Sequence, residues 1–139
     1  MSIFLKNTTQ NELDLLYEIS KQPHIKNHLN PKTLVQHKNE YDDDTNKFLS
    51  IFLDDNIAGY MIVIDEKDCI KLKRIVIDEK FLGIGKEVLL KFQKMYKKRV
   101  YLDVYFDNAR AISLYEKIGY KLFKEGFEKG RKVLYYEKN

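Results

Sequence analysis

The feature that most constrains the fold is a regular exchange of two periodicities in the second half of the chain. Ile70 to Ile77 alternates with period two, whereas Gly85 to Lys97 carries Val88, Leu89, Phe92 and Tyr96 at helical spacing. Val100 to Phe106 reads as a strand, Asn108 to Ile118 as a helix, and Tyr120 to Phe123 with Lys132 to Tyr136 as a hairpin across Gly126 and Gly130. Strands and helices exchanged at this spacing require a sheet covered by helices. Strict alternation in Ile70 to Ile77 puts Ile70, Leu72, Arg74 and Val76 on one face and Lys71, Lys73, Ile75 and Ile77 on the other. Both faces turn apolar towards the C-terminal end, which is therefore the end expected to be buried.

The first half supplies the remaining elements. Ser2 to Lys6 is a short strand, and Thr9 to Ser20 a helix with Leu13, Leu16 and Tyr17 on one face and Thr9 with Glu12 as a capping box. Pro23 and Pro31 bracket a polar stretch, after which a less regular helix runs to about Tyr41 and stops at Asp42-Asp43-Asp44. Phe48 to Leu53 and Ile57 to Ile64 flank the turn cluster Asp54-Asp55-Asn56, an antiparallel hairpin. The fold class is α/β (α+β), with a mixed, mostly antiparallel central sheet flanked by helices. No repeat or linker interrupts the 139 residues, so residues 1–139 are expected to form one domain.

Composition narrows the function classes. One cysteine, Cys69, rules out an internal disulfide framework, and His24, His28 and His37 lack partners at metal-ligand spacing, so no metal is expected. The first residues hold too short an apolar run for a signal peptide, and no segment approaches the ~20 apolar residues that span a bilayer. A cytoplasmic protein with no membrane partner is the expectation. The net charge of +4 suits an anionic ligand but is no focused basic stripe, which argues against nucleic acid. The densest basic run, Lys94 to Arg99, falls at a helix end, where cations suit the dipole.

Two segments carry the chemistry. Lys80-Phe81-Leu82-Gly83-Ile84-Gly85-Lys86 joins a strand to a helix start, where free N–H groups, glycines without Cβ and two lysines can receive a phosphate. The same glycines also fit a plain tight turn. Downstream, Asn108 can cap a helix on which Tyr115 shares a face with Ala111 and Ile118, and a phenol held there can give or take a proton. Read structurally, Tyr115 is a core aromatic.

The segment Lys80 to Gly85 is similar to the Arg/Gln-x-x-Gly-x-Gly/Ala loop of the GNAT acetyltransferase superfamily, with lysine in first place. Asn108-Ala109-Arg110-Ala111-Ile112-Ser113-Leu114-Tyr115-Glu116-Lys117-Ile118-Gly119-Tyr120 resembles that family's second signature, Asn-x-x-Ala-x-x-Leu-Tyr-x-Lys-x-Gly-Phe. The resemblance implies a single GNAT domain that moves an acetyl group from acetyl-CoA, as co-substrate, to a primary amine of a small molecule or peptide. It implies that the backbone of Ile75, Val76 and Ile77 pairs with the pantetheine arm. Lys80 with Gly83, Ile84, Gly85 and Lys86 would hold the pyrophosphate, Asn108 and Ala111 would line the arm, and Tyr115 would protonate the departing thiolate.

The chain departs from the family where a glutamate often stands early on the fourth strand: Lys71 and Lys73 occupy those positions. Asp103 is then the first candidate for a water-relayed base, with Asp65, Glu66 and Asp68 behind it. A non-catalytic acyl-CoA-binding or sensing module is the alternative function, and a nucleic-acid-associated factor a second. The identity of the amine, the length of the acyl chain and a homodimeric assembly stay open at this level.

Overall fold

The computed structural model describes residues 2–26 and 32–139; His28 and Pro31 lie outside the described residues. Seven strands form one sheet: β1 (Ile3–Asn7), β2 (Lys47–Leu53), β3 (Asn56–Asp65), β4 (Cys69–Ile77), β5 (Arg99–Tyr105), β6 (Lys121–Glu128) and β7 (Arg131–Lys138). Their spatial order is β1-β2-β3-β4-β5-β7-β6. Every pairing is antiparallel except β4 with β5. The helices are α1 (Leu13–Ser20), α2 (Pro23–Lys26), α3 (Leu34–Asp42), α4 (Gly85–Met95) and α5 (Ala109–Lys117). The expected mixed sheet flanked by helices is what forms, with α2 as an additional short turn of helix.

Helix ends follow local chemistry. Ahead of α1, the Glu12 carboxylate accepts from the Thr9 N–H at 2.9 Å. Thr33 and Gln36 exchange hydrogen bonds of 3.1 and 2.8 Å at the start of α3, and the Asn108 side chain accepts from the Ala111 N–H at 3.3 Å at the start of α5. The N-terminus of α4, after Ile84, has no side-chain cap.

Apolar side chains divide between the two faces of the sheet. On one face, α4 packs Val88, Leu89 and Phe92, and Tyr115 and Ile118 join Met61, Val63, Leu72 and Leu102. On the other, α1 packs Leu13, Leu16 and Ile19 against Phe48, Tyr60, Ile62 and Val76. Buried His37 ties α3 to that second face, with ring centroids 5.6–5.8 Å from Tyr17, Phe48 and Tyr60.

Strict alternation along β4 does not hold. Ile62 faces Arg74 and Val63 faces Leu72, so Lys73 is the extra residue of a β-bulge. The bulge inverts the side-chain parity: Ile70 and Leu72 pack in the α4 core with Ile75 and Ile77 against it, while Val76 lies in the α1 core. Arg74 and Val76 are thus on the opposite face from Ile70 and Leu72. The C-terminal end of β4 is no better buried than the rest, since Ile75 and Ile77 stay half-buried while Ile70 and Leu72 are buried.

The final hairpin is longer than its sequence signal. β6 continues to Glu128, and the turn is Lys129-Gly130 alone, both at positive φ. Gly126 is a strand residue whose added Cβ would lie 3.2 Å from Tyr135.

β4 and β5 pair in parallel only over Cys69–Arg99, Ile70–Val100 and Lys71–Tyr101. Beyond that point they part, so the edge of β4 from Leu72 to Ile77 has no strand neighbour on the β5 side. A cleft opens there.

Candidate active site

The cleft between the diverging strands has a volume of about 1010 Å³. Ile75, Val76 and Ile77 of β4 line one wall, Asp103 of β5 another, and Asn108, Ala111 and Tyr115 of α5 the end. The structure therefore brings together seven residues singled out from sequence. Lys80, Gly83, Ile84, Gly85 and Lys86 do not line the cavity; they follow β4 through Leu82, which does. Among them Lys80, Gly83 and Lys86 are exposed, whereas Ile84 belongs to the core. Only the backbone of Ile84 can meet a ligand.

Two observations fit the pyrophosphate and pantetheine of acetyl-CoA. The first-turn N–H groups of α4 have no partners inside the helix and no side-chain cap. The unpaired edge of β4 offers backbone groups to an extended amide chain. The expected role of Gly85 changes in detail: its Cβ would meet Leu114 Cδ2 at 3.0 Å and Ile77 Cδ1 at 3.6 Å. Gly85 therefore makes room for α5, and a side chain there would point at Leu114 and Ile77. At Gly83, φ is +109° with open space around it, so that glycine serves the turn.

The approach to this loop is braced by the segment around α2. Gln22 Nε2 donates to Asp78 Oδ1 at 3.2 Å, the Glu79 N–H donates to Gln22 Oε1 at 2.8 Å, and His24 Nε2 lies 2.7 Å from the Ile77 carbonyl oxygen. Asp78 in turn accepts from the Lys80 N–H at 3.0 Å.

Burial raises the Tyr115 phenol well above its ordinary range, and Tyr120 and Asp103 add to it. The hydroxyl is protonated at neutral pH and is a proton donor. Burial also raises the Asp103 carboxyl, against the attraction of Lys71 and with the repulsion of Glu128. Such a carboxylate is a stronger base than an exposed one. The three fallback bases are elsewhere. Asp65 pairs with Lys98 at 2.6 Å, Glu66 accepts from the Tyr101 hydroxyl at 2.9 Å, and neither they nor Asp68 line the cleft.

Sequence reasoning missed a charged cluster on the α3 side. Glu40, one turn after His37 and 5% exposed, pairs with Arg74 at 2.8 and 3.3 Å, with Lys73 at 2.8 Å and with Lys32 at 3.6 Å. All four line the cleft. The bulge at Lys73 is what carries Arg74 to this face. Among the described residues no group of three or more His, Cys, Asp and Glu side chains could hold a metal, and no helix is long and apolar enough to cross a membrane.

A family model described as acetyltransferase (GNAT) family matches residues 13–120. Comparison with curated protein sequences gives no match. Among solved structures, an acetyltransferase from Thermus thermophilus is similar at 20% identity with a TM-score of 0.84, over 99% of this chain and 97% of that one. The aminoglycoside acetyltransferase AAC(6')-Ib in complex with paromomycin and acetyl-CoA is similar at 19% identity and a TM-score of 0.82, over 99% and 93%. Spermidine N-acetyltransferase from Vibrio cholerae, in complex with CoA and spermine, is similar at 16% identity and a TM-score of 0.79, over 97% and 94%.

Proposed function

The chain belongs to the acetyltransferase (GNAT) family, and from that premise we propose that residues 1–139 act as one domain that transfers an acetyl group from acetyl-CoA to a primary amine of a small molecule or peptide. The observation that carries this reading is the cleft itself. A buried, protonated phenol and a half-buried carboxylate of raised basicity line one cleft beside a strand edge that has no neighbour.

Acetyl-CoA supplies an already activated thioester, so the chain's residues have positioning and proton transfer to perform. Lys80 and Lys86, with the backbone from Gly83 to Lys86, hold the pyrophosphate, and the β4 edge from Ile75 to Ile77 aligns the pantetheine arm. Asn108, while capping α5, and Ala111 line the same arm. Asp103 takes the proton of the incoming ammonium through a water. The neutral amine nitrogen forms a bond to the acetyl carbon as the carbon–sulfur bond breaks, and Tyr115 gives its proton to the sulfur. The nitrogen, now bearing one proton too many, releases it to water as the amide forms. Asp103 returns its proton to solvent and Tyr115 regains one, so the net products are the amide, CoA with a free thiol and one proton.

Tyr115→Phe tests the reading, because it keeps the ring among Tyr120 and Ile118 and removes only the acid. The expected result is a fall in kcat of about 10²-fold or more with the CoA dissociation constant unchanged by calorimetry. A variant that turns over at the wild-type rate makes Tyr115 a packing residue. A wild-type protein that binds acetyl-CoA and acetylates no amine supports the sensing module in its place.

A further inference from the structure

The charges lining the cleft are not mixed evenly. Glu40 carries one negative charge and is contacted by three cations, Arg74, Lys73 and Lys32. The other carboxylate on this wall, Asp43, is engaged by its own turn, accepting from the Thr45 N–H at 3.0 Å and its hydroxyl at 2.8 Å. Counting both, the α3–β4 wall keeps an excess of positive charge. Arg74 is nearly buried at 10% exposure and is committed to Glu40, whereas Lys73 and Lys32 each keep about a third of their side chains exposed, at 32% and 34%.

The opposite side holds the cleft's other two carboxylates, Asp103 and Glu128, with the cations Lys71, Arg110 and Lys129 also in the lining. Asp103 faces Tyr135 across β5 and β7, and Tyr135 faces Lys124 across β7 and β6, so Glu128 shares their face by register. Both Asp103 and Glu128 line the cleft, where burial and then the repulsion of Glu128 raise the Asp103 carboxyl against the stronger attraction of Lys71. Tyr115 feels the charge of Asp103, and both line the cleft. A polycation would meet more cations than carboxylates along the cleft. Its second ammonium would meet Lys73 and Lys32.

We propose that the acceptor is a zwitterion, an amine that carries a carboxylate or another anionic group, with its ammonium at Asp103 and Glu128 and its anion at Lys73 and Lys32. This rests on the acetyl-transfer reading and narrows its substrate class away from the polyamine and aminoglycoside types. The anion end fixes the direction in which the amine enters. It also leaves the amine beside Asp103, the proposed base.

The test uses matched acceptors that differ only in the anion: L-leucine against L-leucinamide, and glycylglycine against its amide, with spermidine and kanamycin as polycations. Transfer from acetyl-CoA is followed by thiol release, and binding to the CoA-loaded protein by calorimetry. One charge-assisted contact corresponds to about tenfold or more in kcat/KM or affinity. The acid of at least one pair is expected to exceed its amide by that factor, the gap to narrow with added salt, and Lys73→Gln with Lys32→Gln to abolish the gap between acid and amide. Lys73→Arg should keep the gap. Equal handling of acid and amide in both pairs, or preference for spermidine or kanamycin, overturns the proposal. Where amides or polycations are acetylated, the acetyl-transfer reading survives that result. A protein that neither binds CoA nor acetylates any of the six removes both.

Discussion

Glu40→Gln keeps the shape of a buried side chain and removes the charge that three cations share. Burial alone would raise this carboxyl, but Arg74 and Lys73 outweigh it and hold it down to about 2, against an ordinary value of 4.5. At about 1.4 kcal/mol per pKa unit, that depression is worth about 3 kcal/mol in favour of the charged form. A carboxyl depressed on folding stabilises the protein fully above its unfolded value and loses that contribution as pH falls through its folded value. The window therefore runs from about 4.5 down to about 2. At pH 7 the variant should be less stable by about 3 kcal/mol, at the lower end of the ~3–5 kcal/mol seen when one partner of a buried pair is removed. The assay is urea unfolding of both proteins, followed by circular dichroism from neutral pH down to about pH 2. The difference between the two proteins reads Glu40, together with the small change that its loss makes at Asp43, whose carboxyl Glu40 raises. That difference should shrink steadily below pH 4.5 and nearly close near pH 2. A difference that stays constant with pH, or one under about 1 kcal/mol at neutral pH, would refute the assignment of a strongly coupled buried pair.

Two further outcomes follow from the site. Gly85→Val forces a side chain onto Leu114 Cδ2, 3.0 Å from the new Cβ, and should cost about 1–3 kcal/mol of stability by overpacking; a thermal midpoint equal to wild type would contradict the packing argument. Asp103→Asn should flatten the rise of kcat/KM with pH, a rise whose midpoint lies above the ordinary carboxylate range because burial raises that carboxyl. Overlaid profiles would show that the amine arrives neutral or that the base is another group.

The alternation and helical spacing of residues 70 to 118 made the sheet, α4, β5 and α5 legible, because each of those elements buries one apolar face. The same signal could not register the bulge at Lys73. A bulge adds a residue without changing composition, yet it decides that Arg74 faces Glu40. Glu40 itself was hidden because the inward residues of α3 are His37 and Glu40, so the helix has no apolar stripe to reveal its buried side. β6 is exposed on both faces for nearly its whole length, which is why its pattern ended at Phe123 in sequence and its strand continues to Glu128. Tyr115, Asn108 and Asp103 were found from the motif and from strand parity, and the cleft gathers all three. The segment from Lys80 to Lys86 joins β4 to α4 as its sequence indicated, but the packing reason for Gly85 lies in α5, 29 residues beyond it at Leu114, and no local pattern encodes that contact.

The most direct test of acetyl transfer is mass spectrometry of the acceptor after incubation with acetyl-CoA carrying an isotopically labelled acetyl group. The account predicts a labelled amide on the amine nitrogen, formed in step with free CoA thiol and lost in Tyr115→Phe while CoA remains bound. Thiol release with no labelled acceptor, or label appearing equally in the Tyr115→Phe reaction, would contradict it.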